Sequence, residues 1–168
     1  MSLQVRDALQ EDCQFISEIA ARTFALACPA NTPVEEIERY IQSHLLPAHF
    51  KALVEDDRKE LRVVLKEADV IGYSLIDLAP KGLGIAAADH ARELTRCYVS
   101  AAEHGTGAAQ LLMDRSLEQQ TGPVRLTVNE TNDRAIRFYQ RNGFEIVGET
   151  TFVCGEDLHR DWVMVRKA

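Results

Sequence analysis

The sequence predicts a mixed α/β (α+β) domain in which helices cover both faces of a mainly antiparallel sheet of about seven strands. Strand-like and helix-like apolar patterns follow one another along the 168 residues, 46% of which are hydrophobic. No linker, repeat or low-complexity segment interrupts them. A chain of this length and composition can bury one substantial core, so we expect a single domain over residues 1–168.

Apolar residues that alternate or recur at helical spacing give the order of the elements. The expected strands cover residues 3–6, 61–67, 70–78, 93–100, 124–129, 144–153 and 158–166. The expected helices cover about residues 10–27, 33–45, 47–55, 106–120 and 132–141. This order is typical of a mixed sheet and not of an alternating β/α array.

Local signals predict how several of these elements begin and connect. Thr32 is expected to cap the second helix, with Pro33 in its first position and Glu35 completing a capping box. Residues 68–69 are the expected turn of the first hairpin, and residues 80–89 are an expected loop. The last two strands are expected to form a hairpin around Gly155.

A glycine turn follows the strand over residues 93–100. Gly105 and Gly107 carry no Cβ, so the backbone there can turn sharply and approach a ligand closely. A helix is expected to begin at about Thr106, and its unpaired amides and dipole would favour a phosphate or pyrophosphate. The alternative is a plain turn, which is the commoner meaning of a short Gly-x-Gly before a helix.

A second segment is a short amphipathic helix that ends at a glycine. Ala135, Phe138 and Tyr139 share one face, and Asn132 precedes them on it. Gly143 suits the left-handed position after the helix. The opposite face carries three arginines, which are expected to meet solvent: Arg134, Arg137 and Arg141.

The two segments together, in this order and separation, resemble the GCN5-related N-acetyltransferases (the GNAT superfamily). The superfamily signature Arg/Gln-x-x-Gly-x-Gly/Ala is occupied here by His104, Gly107 and Ala109, so the first position departs from the pattern. The resemblance extends over nearly the whole chain. It implies the GNAT fold and acetyl-CoA as the co-substrate, without a metal.

The resemblance also implies which residues hold acetyl-CoA. The turn residues would bind the pyrophosphate through their amides: His104, Gly105, Thr106, Gly107, Ala108 and Ala109. Tyr98 and Val99 would offer main-chain groups to the pantetheine arm, and Asn132 a side-chain hydrogen bond. The side chains of Tyr98 and Val99 are alternatively ordinary core, and Asn132 is alternatively a simple helix cap.

Acetyl transfer to an amine requires removal of a proton from the amine and stabilisation of the leaving thiolate. Tyr139 matches the tyrosine that often acts as the general acid in this superfamily. Glu93 matches a glutamate of the resembled proteins and is the candidate base. The alternatives are a core tyrosine with a satisfied hydroxyl and a solvated carboxylate at the start of a strand.

The resemblance is greatest to bacterial polyamine N-acetyltransferases of the PaiA type. They share Thr23-Phe24 at a helix end, the Leu94-x-Arg96-x-Tyr98 strand and a tail like Phe152-x-x-Gly155. This implies direct attack by a primary amine of a polyamine such as spermidine or spermine. Two alternatives stay open: a protein N-terminal acetyltransferase of the ribosomal-protein type, and a non-catalytic acyl-CoA-binding module on the same fold.

Composition excludes several other classes. A net charge of −7 and a pI of about 5.2 argue against a nucleic-acid binder and suit a cationic small-molecule acceptor. Acidic residues on the segment expected to line the acceptor site agree with this: Glu35, Glu36, Glu38, Glu55, Asp56 and Asp57. Those carboxylates are alternatively solvated helix faces.

Four scattered cysteines and short apolar runs predict a cytoplasmic protein without a metal site or membrane segment. The sequence leaves the assembly state open, with a homodimer as one option.

Overall fold

The computed structural model describes residues 2–154 and 157–168. The helices are α1 (Cys13–Ala27), α2 (Val34–His44), α3 (Pro47–Glu55), α4 (Ala108–Glu118) and α5 (Asp133–Arg141). The strands are β1 (Leu3–Asp7), β2 (Lys59–Lys66), β3 (Asp69–Asp77), β4 (Arg92–Val99), β5 (Val124–Asn129), β6 (Glu145–Cys154) and β7 (Asp157–Arg166). Short 3₁₀ turns at Gln10–Asp12 and Ala101–Glu103 precede α1 and follow β4.

The strands form a seven-stranded sheet in the order β1-β2-β3-β4-β5-β7-β6. β1 pairs antiparallel with β2, and β7 pairs antiparallel with both β5 and β6. β4 and β5 are parallel and pair at Arg92↔Val124 and Glu93↔Arg125. The fold class predicted from the sequence, a mainly antiparallel mixed sheet with helices, is confirmed.

The start of α2 differs from the prediction. Pro33 is the N-cap, with φ −58° and ψ 138°, and no side chain caps the helix. Because Pro33 stays extended, the helix begins one residue later than expected and Thr32 no longer occupies the cap position. The Thr32 hydroxyl oxygen is instead buried without a partner among the described residues. The predicted capping box is therefore wrong.

The predicted turns of the two hairpins compare differently with the structure. The first lies at residues 67–68, one residue earlier than predicted, and Glu67 adopts a left-handed φ of 56° there. The predicted turn of the last hairpin falls on residues 155–156, outside the described residues. Val147 forms an irregularity in β6, because the register with β7 shifts between Ile146 and Gly148.

The chain divides into two compact units. Unit 1 comprises Met1–Ile76 and Arg96–Glu118, and unit 2 comprises Asp77–Thr95 and Gln119–Ala168. That residues 1–168 make one domain stays a prediction.

Two clusters of apolar side chains form the core of unit 1. In the larger cluster, Ile16 of α1, Phe50 of α3 and Tyr73 of β3 are almost fully buried. In the smaller cluster, Val99 of β4 and Leu112 of α4 pack together. The amphipathic faces of α1, α3 and α4 thus account for the burial of this part of the sheet.

Unit 2 contains a buried cation, Arg125 of β5, which is 1% exposed. Its Nε donates to Oε1 of Glu93 over 3.0 Å, and its Nη1 donates to the carbonyl of Ala88 over 3.3 Å. Its Nη2 donates to the carbonyl of Lys81. One guanidinium therefore joins the start of β4 to two points of the preceding loop.

Asp89 completes this arrangement. Its Oδ1 accepts from the backbone N–H of Leu83 over 2.7 Å and lies 3.8 Å from Nη1 of Arg125. The N–H groups of Leu83, Ile85 and Gly84 lower the pKa of Asp89, with a smaller contribution from the charge of Arg125. The segment predicted as a loop, residues 80–89, is thus folded around a carboxylate and held to β5.

We predict that Arg125→Met lowers the free energy of unfolding by about 3–5 kcal/mol, the usual cost of breaking a buried ion pair from one side. Arg115→Met is the control, because Arg115 forms an exposed pair with Glu118. That change should cost less than about 1 kcal/mol. Urea denaturation measures both, and equal losses would contradict the role given to Arg125.

Candidate functional site

The glycine turn of unit 1 has the backbone that its sequence predicts. Gly105 and Gly107 have φ values of 83° and 91°, which side chains with a Cβ rarely adopt. The turn leads directly into α4, which begins at Ala108, two residues later than expected. Glycine is therefore required at both positions by the backbone itself.

Hydrogen bonds around Thr106 hold this turn in place. The Thr106 hydroxyl donates to the carbonyl of Glu103 over 2.7 Å and accepts from the N–H of Ala108 over 3.4 Å. The Glu103 carboxylate in turn accepts from Nζ of Lys66 on β2 over 3.2 Å. The protein's own hydrogen bonds therefore fix the turn to the sheet.

The same turn presents backbone donors on an open side. No described residue accepts a hydrogen bond from the N–H of Gly105, Gly107 or Ala109. A Cβ added to Gly105 or Gly107 would meet no heavy atom within 4 Å. Free amides at a helix N-terminus attract anions, so the turn fits a phosphate group closely approaching the backbone.

The other residues predicted to bind the pyrophosphate, which flank the two glycines, differ in exposure. His104 is exposed, and its backbone N–H donates to the carbonyl of Ala101. Ala108 is fully buried, whereas Ala109 is half-buried. Ala108 can offer a ligand main-chain atoms only, because its methyl group belongs to the core, and its N–H already donates to the Thr106 hydroxyl.

Tyr98 and Val99 lie at the end of β4. Val99 is 6% exposed and packs in the smaller core cluster, so its side chain is ordinary core. Tyr98 is half-buried, and its ring lies edge-on to Tyr73 with centroids 6.1 Å apart. A Cβ on Gly72 would lie only 2.6 Å from the Tyr98 carbonyl oxygen. Glycine at position 72 therefore lets β3 and β4 approach here.

In unit 2, α5 has the features that its sequence predicts. The Asn132 side chain accepts from the N–H of Ala135 over 3.3 Å, so Asn132 is the helix N-cap. Gly143 follows the helix with a φ of 89°. Tyr139 is half-buried, and its ring lies edge-on to Phe144 with centroids 6.0 Å apart. The cap role of Asn132 leaves its side-chain NH₂ group as a separate donor.

Glu93, the candidate base, is not a simple solvated carboxylate. Its side chain is 22% exposed, and Oε1 accepts the hydrogen bond from Arg125. No described residue donates to its other oxygen, which can hydrogen-bond water or an amine. Glu93 thus combines an ion pair on one oxygen with an available second oxygen.

Sequence reasoning missed Arg125. It stands inside the apolar strand Val124-Arg-Leu-Thr-Val128, between two buried residues. A cation in such a strand needs a partner on the same face. That signal was present, although the identity of the partners, Glu93 and the 80–89 loop, depends on the fold.

Two negative observations hold for the part of the chain that the structure describes. No helix there is both long and apolar enough to span a bilayer. No three side chains of His, Cys, Asp or Glu are grouped there as the ligands of a metal ion would be.

Comparison with known proteins relates the chain to one family. The family model described as the acetyltransferase (GNAT) family matches residues 18–144. An uncharacterized N-acetyltransferase of Mycobacterium bovis is 35% identical over 160 residues, which cover 93% of this chain and 97% of the relative.

Solved structures share the fold at low sequence identity. A PaiA N-acetyltransferase from Thermoplasma acidophilum, in complex with coenzyme A, matches with a TM-score of 0.80 and 18% identity over the whole of both chains. A spermidine N-acetyltransferase chimera from Vibrio cholerae and hSSAT matches with a TM-score of 0.70 and 18% identity, covering 99% of this chain and 96% of the chimera. At such identities, the likeness concerns the fold.

Proposed function

The chain belongs to the acetyltransferase (GNAT) family and is an N-acetyltransferase, and we propose that it transfers the acetyl group of acetyl-CoA to a primary amine of a polyamine such as spermidine or spermine. The observation that carries the acetyl-CoA part of the proposal is the glycine turn at the start of α4. Its backbone amides lie on an open side of unit 1, as binding of a pyrophosphate requires.

The turn of residues 105–109 would hold the pyrophosphate of acetyl-CoA, chiefly through the amides of Gly105, Gly107 and Ala109, which have no acceptor among the described residues. The left-handed glycines allow a close approach, and the bonds of Thr106 fix the turn in advance. Main-chain groups of Tyr98 and Val99, together with the NH₂ group of Asn132, would hold the pantetheine arm. The family resemblance supports these three assignments, and the cap role of Asn132 is compatible with them.

Acetyl-CoA, when bound, supplies a thioester that an amine can attack. A C–N bond to the amine forms as the C–S bond breaks. In our proposal, the available oxygen of Glu93 accepts a proton from the amine, directly or through water. The hydroxyl of Tyr139 gives its proton to the leaving thiolate. Each residue then needs to regain its starting protonation state from solvent.

We propose direct attack in place of an acetyl-cysteine route, and the state of two of the four cysteines supports it. A cysteine nucleophile must be a thiolate. Burial raises the pKa of Cys97 to about 12 and also raises that of Cys13. Both thiols therefore stay protonated at neutral pH, and neither is activated for attack.

The polyamine acceptor is supported by the resemblance to PaiA-type sequences and by the net charge of −7. The acidic residues of α2 and α3 add less support than their number suggests. Glu36 pairs with Arg39, Glu55 accepts from Gln10, and Asp56 accepts from the N–H of Arg58. A protein N-terminal acetyltransferase is the alternative.

Replacing Gly107 with Val should weaken binding of coenzyme A by about tenfold or more, because the new side chain fills the space that the pyrophosphate needs. Calorimetric titration measures the affinity. Gly84→Val is the matched control, since Gly84 also has a positive φ, 77°, and no atom within 4 Å of a Cβ. An unchanged affinity in the Gly107 variant would exclude the turn as the binding site.

Tyr139→Phe should leave coenzyme A affinity unchanged and lower kcat by roughly 10²-fold, the effect of losing a general acid. Tyr40→Phe is the control, because Tyr40 stacks on Phe24 and has no proposed catalytic role. Thiol release measures both rates. Full activity of the Tyr139 variant would show that the thiolate is protonated by another group.

Glu93→Gln should move the pH optimum of kcat/KM upward. Alkyl amines have a pKa near ~10.4, so without a base more of the acceptor must arrive already deprotonated. Asp89→Asn is the control, since it also removes a carboxylate beside Arg125. If the two variants share one pH–rate profile, Glu93 is not the base.

A further inference from the structure

Asp161 of β7 is a carboxylate that has no lysine or arginine as a hydrogen-bond or ion-pair partner among the described residues. Its Oδ1 is buried and has no hydrogen-bond partner among the described residues. The residue as a whole is half-buried, so part of the side chain still meets solvent. An ionised carboxylate in such a position carries an uncompensated desolvation cost.

The surroundings of Asp161 follow from the register of β7. Asp161 lies between Asn129 of β5 and Thr150 of β6, whose side chains share its face of the sheet. His159 lies two residues away on the same face, and its Nε2 is also buried without a described partner. Asn129 and Thr150 are polar and uncharged, and His159 is a neighbour on this face that can carry a positive charge.

Two arginines of the neighbouring strand positions, Arg160 and Arg125, are engaged elsewhere. Arg160 projects to the opposite face, where its Nη2 lies 2.6 Å from Glu130 and its Nη1 lies 3.1 Å from Glu149. Its guanidinium also covers the ring of Trp162 at 4.7 Å. Arg125 shares the face of Asp161 but is held by Glu93 and two loop carbonyls.

Burial also raises the pKa of Asp161, and the charge of His159 lowers it by a smaller amount. Ionisation of Asp161 therefore costs free energy in the protein without a ligand, because the charged form is partly desolvated. A group that costs stability in the free protein is typical of a binding site that a ligand completes.

We propose that the Asp161 carboxylate, beside His159, binds an ammonium group of the acceptor that is not the group acetylated. The inference rests on the proposed polyamine function and adds a residue that selects acceptors with a second positive charge. Because Asp161 as a whole is only half-buried, an ammonium ion can reach its carboxylate from the solvent-facing side and form a charge-assisted hydrogen bond there. A monoamine has no group to place there.

The position suits an acceptor with separated charges. Arg125 and Glu93 lie at the register of Val165, four residues along β7 from Asp161. At about 3.4 Å per residue, this is roughly 14 Å along the strand. Glu93 lies a further two strand spacings, roughly 10 Å, to the side of β7, so its Cα is roughly 17 Å from that of Asp161. The two side chains and an extended polyamine can together cover this distance, whereas a short monoamine cannot.

The test compares Asp161→Asn with Glu145→Gln, which removes an exposed carboxylate of β6 and so controls for net charge. Without ligand, Asp161→Asn should raise Tm by about 2–4 °C, because the desolvated charge is gone. Spermidine should raise the Tm of the wild type and of Glu145→Gln, but not of Asp161→Asn.

Steady-state kinetics provide the second readout. Asp161→Asn should raise KM for spermidine by about tenfold or more, the loss of one charged hydrogen bond, while kcat and the KM for butylamine stay within about twofold. A fall in Tm of the free variant would indicate a structural role and overturn the inference. So would unchanged selectivity for spermidine over butylamine, or a wild-type Tm that spermidine does not raise.

Failure of the proposed function has a different signature. Spermidine would then still raise the Tm of the wild type but release no coenzyme A thiol from acetyl-CoA. Asp161 would in that case bind a polyamine that is not the acceptor.

Discussion

The buried guanidinium of Arg125 is the interaction on which unit 2 depends. It is 1% exposed, and the groups around it come from the start of β4 and from the loop before that strand. Without it, Glu93 and two loop carbonyls would lose their shared donor. The same ion pair positions Glu93, the proposed base. Arg125 therefore affects both the stability of unit 2 and the proposed chemistry.

The glycine turn before α4 and helix α5 could be predicted from sequence because their signals are local. Gly105, Gly107 and Gly143 occupy positive φ values that the spacing of glycine before and after a helix indicates. Asn132 caps α5 within three residues of its own position. Such features depend on a few neighbouring residues, and the fold does not alter them.

Other features could not be predicted because they depend on partners far along the chain. Arg125 is bonded to the carbonyl of Lys81, 44 residues earlier, and to Glu93, 32 residues earlier. That Asp161 has no arginine partner among the described residues follows from the strand register and the orientation of Arg160. The error at Thr32 arose differently, because the extended conformation of Pro33 outweighed a capping pattern that the sequence does contain.

A direct competition between acceptors tests the central claim, that this N-acetyltransferase acts on polyamines. The wild-type protein is given acetyl-CoA with spermidine and with short peptides that carry free N-termini, and kcat/KM is measured for each. The account predicts a value for spermidine about tenfold or more above that for the peptides, equivalent to about 1.4 kcal/mol of transition-state stabilisation. An equal or higher value for the peptides would contradict it.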